Sequence, residues 1–535
     1  MSIVSEIPLQ TIPGFSKLVG DYLANNPALR HLYKYDFNLD SFGQIMADKA
    51  KDNTDRELLV RVLKKQYRNI ATTEKTAQNI ELLSSPKTFT ITAAHQPCVL
   101  LGPVFNIYKI ASAINLANQL KAKYPDNNFV PVFWMGSEDH DFEELGTIYI
   151  YGKKIEWPAN PLSNRELEAG AYGRRKTESL HKVLDQTLEI AGDAGRPLID
   201  KMREGISTFP TFGAYTRFLI NELFGETGLV VIDQDDAELK KKFSAIIADE
   251  LQHSPSIKAM DSTIKWLNEN YSVQATPRDI NLFYLDDNSR ERIIKTSNGY
   301  EVNNTKVRIP TGSLQELIAT KPEMFSPNVI LRPVYQELML PDLAFIGGAG
   351  EISYWLELKA VFEHHGVNYP MLVMRSSMTI INSSIEKKMA KLSLSAVDFF
   401  KNPDQTINCF VKSKLSSDIQ FDEEKKSLAA LFDSFVLKAE KVDPTLRAAV
   451  MAEKQKQQQS LEAIEGKIIK AEKRKQEEAI NQIRSIYQTF TPAQSWQERI
   501  ENFIPFYLKD NEFVKHSVEA ADPFKKSMLV INLDI

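Results

Sequence analysis

The run Phe89-Thr90-Ile91-Thr92-Ala93-Ala94 leads directly into the loop His95-Gln96-Pro97-Cys98-Val99-Leu100-Leu101-Gly102-Pro103. Val104–Lys123 follows, with Ile107, Ile110, Ala111, Ile114, Ala117 and Leu120 at helical spacing, and then the apolar run Phe129–Met135. Spacings of three and four mark one apolar helix face, and short β-prone runs on either side read as buried strands. A strand–helix–strand unit of this kind is almost always parallel with a right-handed crossover. The second strand ends in Gly136-Ser137-Glu138-Asp139-His140-Asp141. In open parallel sheets the loops at the carboxyl ends of the strands form the ligand crevice, so polar residues concentrated there predict an enzyme-like site.

The unit recurs along the chain. Thr211–Thr227 reads as a helix before the strand Leu229–Asp233, and Leu331–Glu337 leads to the apolar run Leu343–Ile346. That run enters Gly347-Gly348-Ala349-Gly350-Glu351 and a helix predicted over Ile352–His364, before the short strand Met371–Met374. Repetition argues for an α/β fold built on a Rossmann-like doubly wound parallel sheet. The core is expected over 86–375, behind a helical region at 1–85 that covers the sheet. Insertions are expected at about 151–210, around the polar stretch Asn164–Glu178, and at about 265–325. In the second, Phe283–Leu285, Arg292–Ile294 and Val307–Ile309 resemble antiparallel strands between Asp-Asn and Asn-Gly turns.

From 376 to 490 the character changes to Lys, Glu and Gln around sparse apolar positions. Asp443-Pro444 reads as an N-cap and first helical residue, and Leu461, Ile464, Ile468 and Ala471 keep heptad-like spacing. Ile480, Ile483 and Tyr487 continue in a shifted phase. This predicts a long antiparallel coiled-coil arm, after which 491–535 returns to the core.

With 535 residues the chain exceeds what one hydrophobic core usually organises. A net charge of −5 gives no global reason to expect nucleic-acid binding. Cys98 and Cys409 are too few for a disulfide framework or a Cys-ligated structural zinc, which fits a reducing cytoplasm. The first residues lack the basic and apolar segments of a signal peptide, and no run reaches the ~18 apolar residues of a membrane span.

The residues leave several chemistries open. Backbone N–H groups of Gly347–Glu351 are suited to a phosphate or carboxylate, or equally to a plain tight turn; neither the dinucleotide nor the P-loop glycine spacing is present. His140 is placed to act as a general base or, with Asp139 or Asp141, as a metal ligand; the competing reading is an acidic helix N-terminus. Cys98, among Val99, Leu100 and Leu101, reads as a small buried hydrophobe before it reads as a nucleophile. Arg332, Gln336 and Glu337 suit a clamp on a carboxylated substrate, or a surface ion pair.

Four blocks together resemble the BshC family, which is assigned the cysteine-adding step of bacillithiol biosynthesis. They are His95-Gln96-Pro97 with Gly102-Pro103-Val104-Phe105-Asn106-Ile107-Tyr108-Lys109, Phe133–Phe142, Leu331–Glu337, and Gly347–Trp355. The resemblance implies a core similar to class I aminoacyl-tRNA synthetases with connecting-peptide insertions, and a coiled coil that makes a homodimer. It implies a cytoplasmic ligase joining the carboxyl of L-cysteine to the amino group of glucosaminyl-malate, with ATP and Mg²⁺ making the carboxyl reactive. One loop departs from the family pattern: Ala94-His95 stand where Gly-Gln is usual, and Cys98 and Leu101 replace glycines.

On this reading His95, Asp139 and His140 form the catalytic set, with His95 and Lys109 at the ATP phosphates and Asp139 and His140 at the amine or a Mg²⁺-linked carboxylate. Gln96, Asn106, Ser137, Glu138, Asp141, Arg332, Gln336, Gly347, Gly348, Gly350, Glu351, Tyr354 and Trp355 make up the substrate-binding set. Asn382, Gln497 and Arg499 are candidates for an accessory nucleotide pocket and stand beside Lys109 in the nucleotide-binding set; no resident metal, nucleic acid or membrane partner is expected. Two other classes stay open: a metal-dependent hydrolase built on Asp139, His140 and Asp141, and a non-catalytic scaffold that works through the coiled coil.

Overall fold

A computed structural model describes residues 1–157, 170–287, 289–414 and 421–534. The chain forms two units, Met1–Ile380 with Gln497–Ile535, and Ile381–Trp496.

The first unit is organised by five parallel strands: β1 (Thr88–His95), β2 (Asn128–Met135), β3 (Val230–Asp233), β4 (Asp342–Gly347) and β5 (Met371–Met374). Their spatial order is β5-β4-β1-β2-β3. The chain therefore runs outward in one direction from β1 through β3, then returns beside β1 and runs outward the other way. The reversal lies between β1 and β4, where a doubly wound sheet opens its crevice. His95 pairs with Met135 and Met135 with Asp233, so these strand ends and the loops after them lie in one row.

Both faces of the sheet are covered, which is why the strands are near-continuous apolar runs. The alternating threonines of β1 are the exception. Thr90 and Thr92 each donate to Asp342 Oδ1, at 2.8 and 2.6 Å, so two buried hydroxyls on β1 are satisfied by one oxygen of a buried carboxyl on β4. Helix α1 (Phe105–Lys123) buries Ile107, Ile110, Ala111, Ile114 and Leu120 between β1 and β2. Each buried Ile or Leu contributes about 1.5–3 kcal/mol of transfer free energy.

Local departures from expectation have identifiable causes. The first 85 residues are not wholly helical: Ser2–Pro8 is a strand, antiparallel to Ser527–Asn532, and a partner so distant in sequence leaves no local signal. The helix predicted over Ile352–His364 is two, Ala349–Trp355 and Lys359–His365. In the first insertion, a hairpin (Thr147–Ile150 and Lys153–Glu156) precedes helices Leu180–Ala191 and Arg196–Thr208. Part of its polar stretch, 158–169, lies outside the described residues. The second insertion carries an antiparallel sheet of Leu282–Leu285, Arg290–Thr296, Gly299–Val302, Arg308–Pro310 and Phe325–Pro327. Gly299 is required at its turn: its φ is 137°, and a Cβ there would sit 2.3 Å from the Ile309 carbonyl oxygen.

The second unit is helical. Asp422–Val442 and Leu446–Lys475 pair as an antiparallel hairpin, with Asp443 accepting from the Thr445 N–H at 2.8 Å. The chain before the hairpin is not one long arm; it includes separate helices Ser383–Leu392 and Pro403–Lys414. The long helix ends at Gln476, where the apolar phase shifts, and Glu477–Phe490 buries Ile480, Ile483, Tyr487 and Phe490. Among the described residues no helix is long and apolar enough to cross a membrane.

Candidate active site

The crevice at the β1/β4 reversal is a cleft of about 540 Å³ lined by His95, Gln96, Phe105, Arg332, Gly348, Glu351, Tyr354, Arg375 and Arg499, among others. A second cleft of about 380 Å³ lies beyond the end of β2 and includes Asp139, Gln234, Arg278, Phe283, Arg290, Arg292 and Asn328. Gln96, Val329 and Arg332 line both, so the clefts meet at those residues.

The first cleft is cationic, with two acids, Glu144 and Glu351, in its lining. Arg375, just past β5, donates to Glu498 at 2.7 Å and lies over the Phe105 ring. Arg332 donates to the Tyr354 hydroxyl at 2.6 Å. Burial, and then the neighbouring Arg375, push the Arg499 pKa down, so an anion between these guanidiniums relieves a cost the fold already carries. Beneath them Lys109 is fully buried, pairing with Glu351 at 2.6 Å and donating to the Ala94 carbonyl at 3.0 Å. Lys109 does not reach the cleft as expected of a phosphate contact; it acts through Glu351, which does. Burial opposes the Glu351 charge, but Lys109, His95 and the Gly348 N–H hold its carboxyl below the ordinary range. That N–H donates to Glu351 at 2.9 Å, so this one donor of the glycine loop is taken by the loop's own acid.

The loop after β1 is strained and clamped. Leu100, Leu101 and Gly102 have φ of 44°, 64° and 66°, a conformation that leucine rarely adopts. Asn106 donates to the Leu101 carbonyl at 2.9 Å, and Asn502 to those of Leu100 and Gly102 at 2.9 and 2.6 Å. Asn106 is thus a buried loop clamp and does not line either cleft. Cys98 packs inside the turn, and burial pushes its thiol up to about 12, which keeps it protonated and unfit as a nucleophile. Burial, helped by Lys109, lowers His95 to about 4. Its Nδ1 lies 3.1 Å from the Gln96 carbonyl, which only accepts, so the proton sits on Nδ1 and Nε2 presents a lone pair.

In the second cleft Asp139 accepts from Gln96 Nε2 at 2.9 Å and from the His140 N–H at 2.7 Å, with Arg290 at 3.9 Å. Burial works against the Asp139 charge, yet Arg290, Gln96 and the His140 N–H outweigh it and hold the carboxyl low. The Arg290 Nη1–H donates to His140 Nδ1 at 3.1 Å. Burial and that guanidinium keep the His140 ring neutral, so its proton is on Nε2. His140 is therefore a hydrogen-bond donor in this arrangement, not the general base expected of it.

The acidic run divides within one turn of chain. Glu138 points inward to a sealed ion pair with Lys240 and accepts from Gln234 and Ser326, at 3.0 and 3.1 Å. Ser137 donates to Asp233 beneath the loop. Asp141 caps the short helix Phe142–Leu145, accepting from the Glu144 N–H. Ser137, Glu138 and Asp141 line neither cleft, and the donors expected of a metal hydrolase do not converge: Asp141 is turned to its helix and a guanidinium stands against Asp139 and His140. Gln336 donates to Glu337, whose carboxyl burial raises to about 7, inside the packing below the sheet. Trp355 is buried, stacked on Phe345 at 4.1 Å, and Gly347 accepts from the Arg375 N–H. Gly350 lines the first cleft with Gly348. Asn382 caps Ser383–Leu392 in the second unit, while Gln497 holds the Ile380 backbone and Arg499 lines the first cleft.

Sequence reasoning did not single out Arg290, Arg375 or Arg278. Arg375 had a signal, the first residue after a core strand; Arg290 and Arg278 lie in the second insertion and had none.

Fold and site together define a Rossmann-like α/β protein with an appended coiled-coil unit and a two-chambered polar crevice at the switch point. The family model for the BshC N-terminal Rossmann-like domain of bacillithiol biosynthesis matches residues 2–376, and that for the BshC C-terminal coiled-coil domain matches 378–533. The chain belongs to the BshC family. It is 40% identical to a protein of Flavobacterium johnsoniae named "Putative cysteine ligase BshC", over 98% of this chain and 99% of the relative. Proteins of the same name from Christiangramia forsetii and Cytophaga hutchinsonii are 37% and 36% identical, each over 97% of both chains.

Proposed function

We propose that this protein is the ligase that joins the carboxyl of L-cysteine to the amino group of glucosaminyl-malate, at the expense of ATP with Mg²⁺. The observation that carries the reading is the pair of clefts meeting at Gln96, Val329 and Arg332: a two-substrate condensation needs two chambers and one seam. The first cleft, with Arg332, Arg375 and Arg499, suits the phosphates and the cysteine carboxylate. The second, with Asp139 beside Arg278, Arg290 and Arg292, suits an acceptor that carries both an amine and carboxylates.

Amide formation needs an unprotonated amine aimed at a carboxyl made electrophilic by the nucleotide. Asp139, held ionised, orients the amine, and Gln96, which bonds Asp139 and lines both clefts, sets it against the seam. His140 lines neither cleft and acts through Asp139, to which its backbone N–H donates. The lone pair on His95 Nε2 is the better candidate to take the proton that the amine loses. The same crevice supports a core similar to class I aminoacyl-tRNA synthetases, and the hairpin of the second unit supports a homodimer; both belong to this proposal, as does a cytoplasmic location.

Purified protein supplied with cysteine, glucosaminyl-malate, ATP and Mg²⁺ should form the cysteinylated product with nucleotide consumption, and Asp139→Asn should slow it by about 10²-fold. Product formation without nucleotide, or an unchanged rate in the variant, would refute the reading.

A further inference from the structure

Outside both clefts, three of the chain's eight histidines gather around a single carboxylate. Helix Ala237–His253 places Asp249 and His253 four residues apart on one face. Helix Lys359–His365, between the glycine loop and β5, ends in His364 and His365. His364 Nε2 is 2.8 Å from Asp249 Oδ2, and His253 Nδ1 is 2.9 Å from the other oxygen. His365 Nδ1 stands 3.9 Å from Oδ2, and one donor atom each from Asp249, His364 and His365 lie within 4.8 Å of one another.

We propose that Asp249, His364 and His365 form a binding site for a borderline divalent transition-metal ion of the Zn²⁺ class. Two imidazole nitrogens and a carboxylate oxygen are a zinc-type donor set, which a water completes. The His365 side chain is only 4% exposed, and its Nε2 has no hydrogen-bond partner among the described residues. The nitrogen that faces Asp249 is Nδ1, so that nitrogen is the one placed to ligate an ion, while the ring as a whole is only weakly held by protein. On the solvent side, His364 at 44% and Asp249 at 32% exposure leave an entry path. The ion would tie the β3–β4 connection to the β4–β5 connection, a structural clamp remote from the proposed chemistry.

The full-length protein, stripped with chelator and dialysed, is titrated with Co²⁺ and with Zn²⁺ alone. One ion per chain is expected, with Co²⁺ absorption bands of nitrogen and oxygen ligation and no thiolate charge-transfer band, and Zn²⁺ should raise Tm. His364→Gln, at an exposed position that folding tolerates, and Asp249→Asn should each weaken binding at least ~10-fold, since loss of even an outer-shell partner costs ~10–100-fold. His365→Ala is read only if its circular dichroism matches the parent. Absence of binding at micromolar metal, affinity unchanged by His364→Gln and Asp249→Asn, or a thiolate band overturns the proposal.

Discussion

Two buried lysine–glutamate pairs, Lys109–Glu351 and Lys240–Glu138, flank the crevice and are put to different uses. Both lysines are fully buried, and burial lowers the pKa of each while its glutamate resists. Glu138 is sealed, 0% exposed, with Oε1 on Lys240 and Oε2 accepting from Gln234 and Ser326, so the pair is scaffolding. Glu351 is 23% exposed and opens on the first cleft, so its charge is felt by whatever binds there. Identical chemistry becomes structure or site according to which side of the acid meets solvent.

That contrast can be broken from either end. The largest expected effect is on stability: Lys240→Met leaves a sealed, uncompensated carboxylate and should cost about 3–5 kcal/mol in denaturant unfolding. Lys240→Met with Glu138→Leu should recover most of that loss. Lys109→Met should cost less, because Glu351 can be hydrated from the cleft, but should weaken anion binding in the first cleft; nucleotide titration of the folded variant checks this. An equal stability loss with unchanged nucleotide affinity would erase the distinction.

A subtler test is pH. His95 is depressed from 6.5 to about 4 on folding, so its contribution is present above pH 6.5 and is lost as pH falls toward 4, where the folded ring must also accept a proton. Unfolding curves across that window should show stability falling with acid, less steeply in His95→Gln. The smallest effect is expected at Cys98, where alanine should lower stability by only about 1 kcal/mol and change turnover less than ~2-fold, in keeping with a thiol that burial keeps protonated at the wall of the first cleft.

The sheet was legible because β1, β2, β3, β4 and β5 are apolar runs buried on both faces and α1 carries its own stripe; none of those signals needs a distant partner. The site was legible as a place but not as a set of roles. Ser137, Glu138, Asp139 and Asp141 look alike in sequence, yet successive side chains leave the loop in different directions, to Asp233, Lys240, the cleft and a helix end. Which nitrogen of His95 or His140 holds a proton depends on Gln96 and Arg290, and Arg290 arrives from the inserted sheet. Nor does sequence reveal that Leu100 and Leu101 tolerate a left-handed backbone, since Asn502 supplies the restraint from 400 residues away.

That restraint sets an order of assembly. Asn502 and Arg499 follow the whole of Ile381–Trp496 in the chain, so a growing polypeptide makes the sheet, the glycine loop and all of the coiled-coil unit before it has the residues that finish the first crevice loop. Domains tend to fold as they emerge during synthesis. Here the framework can consolidate early while the reactive cleft stays incomplete until late in translation, and a truncated product would be folded in its sheet yet without a finished site.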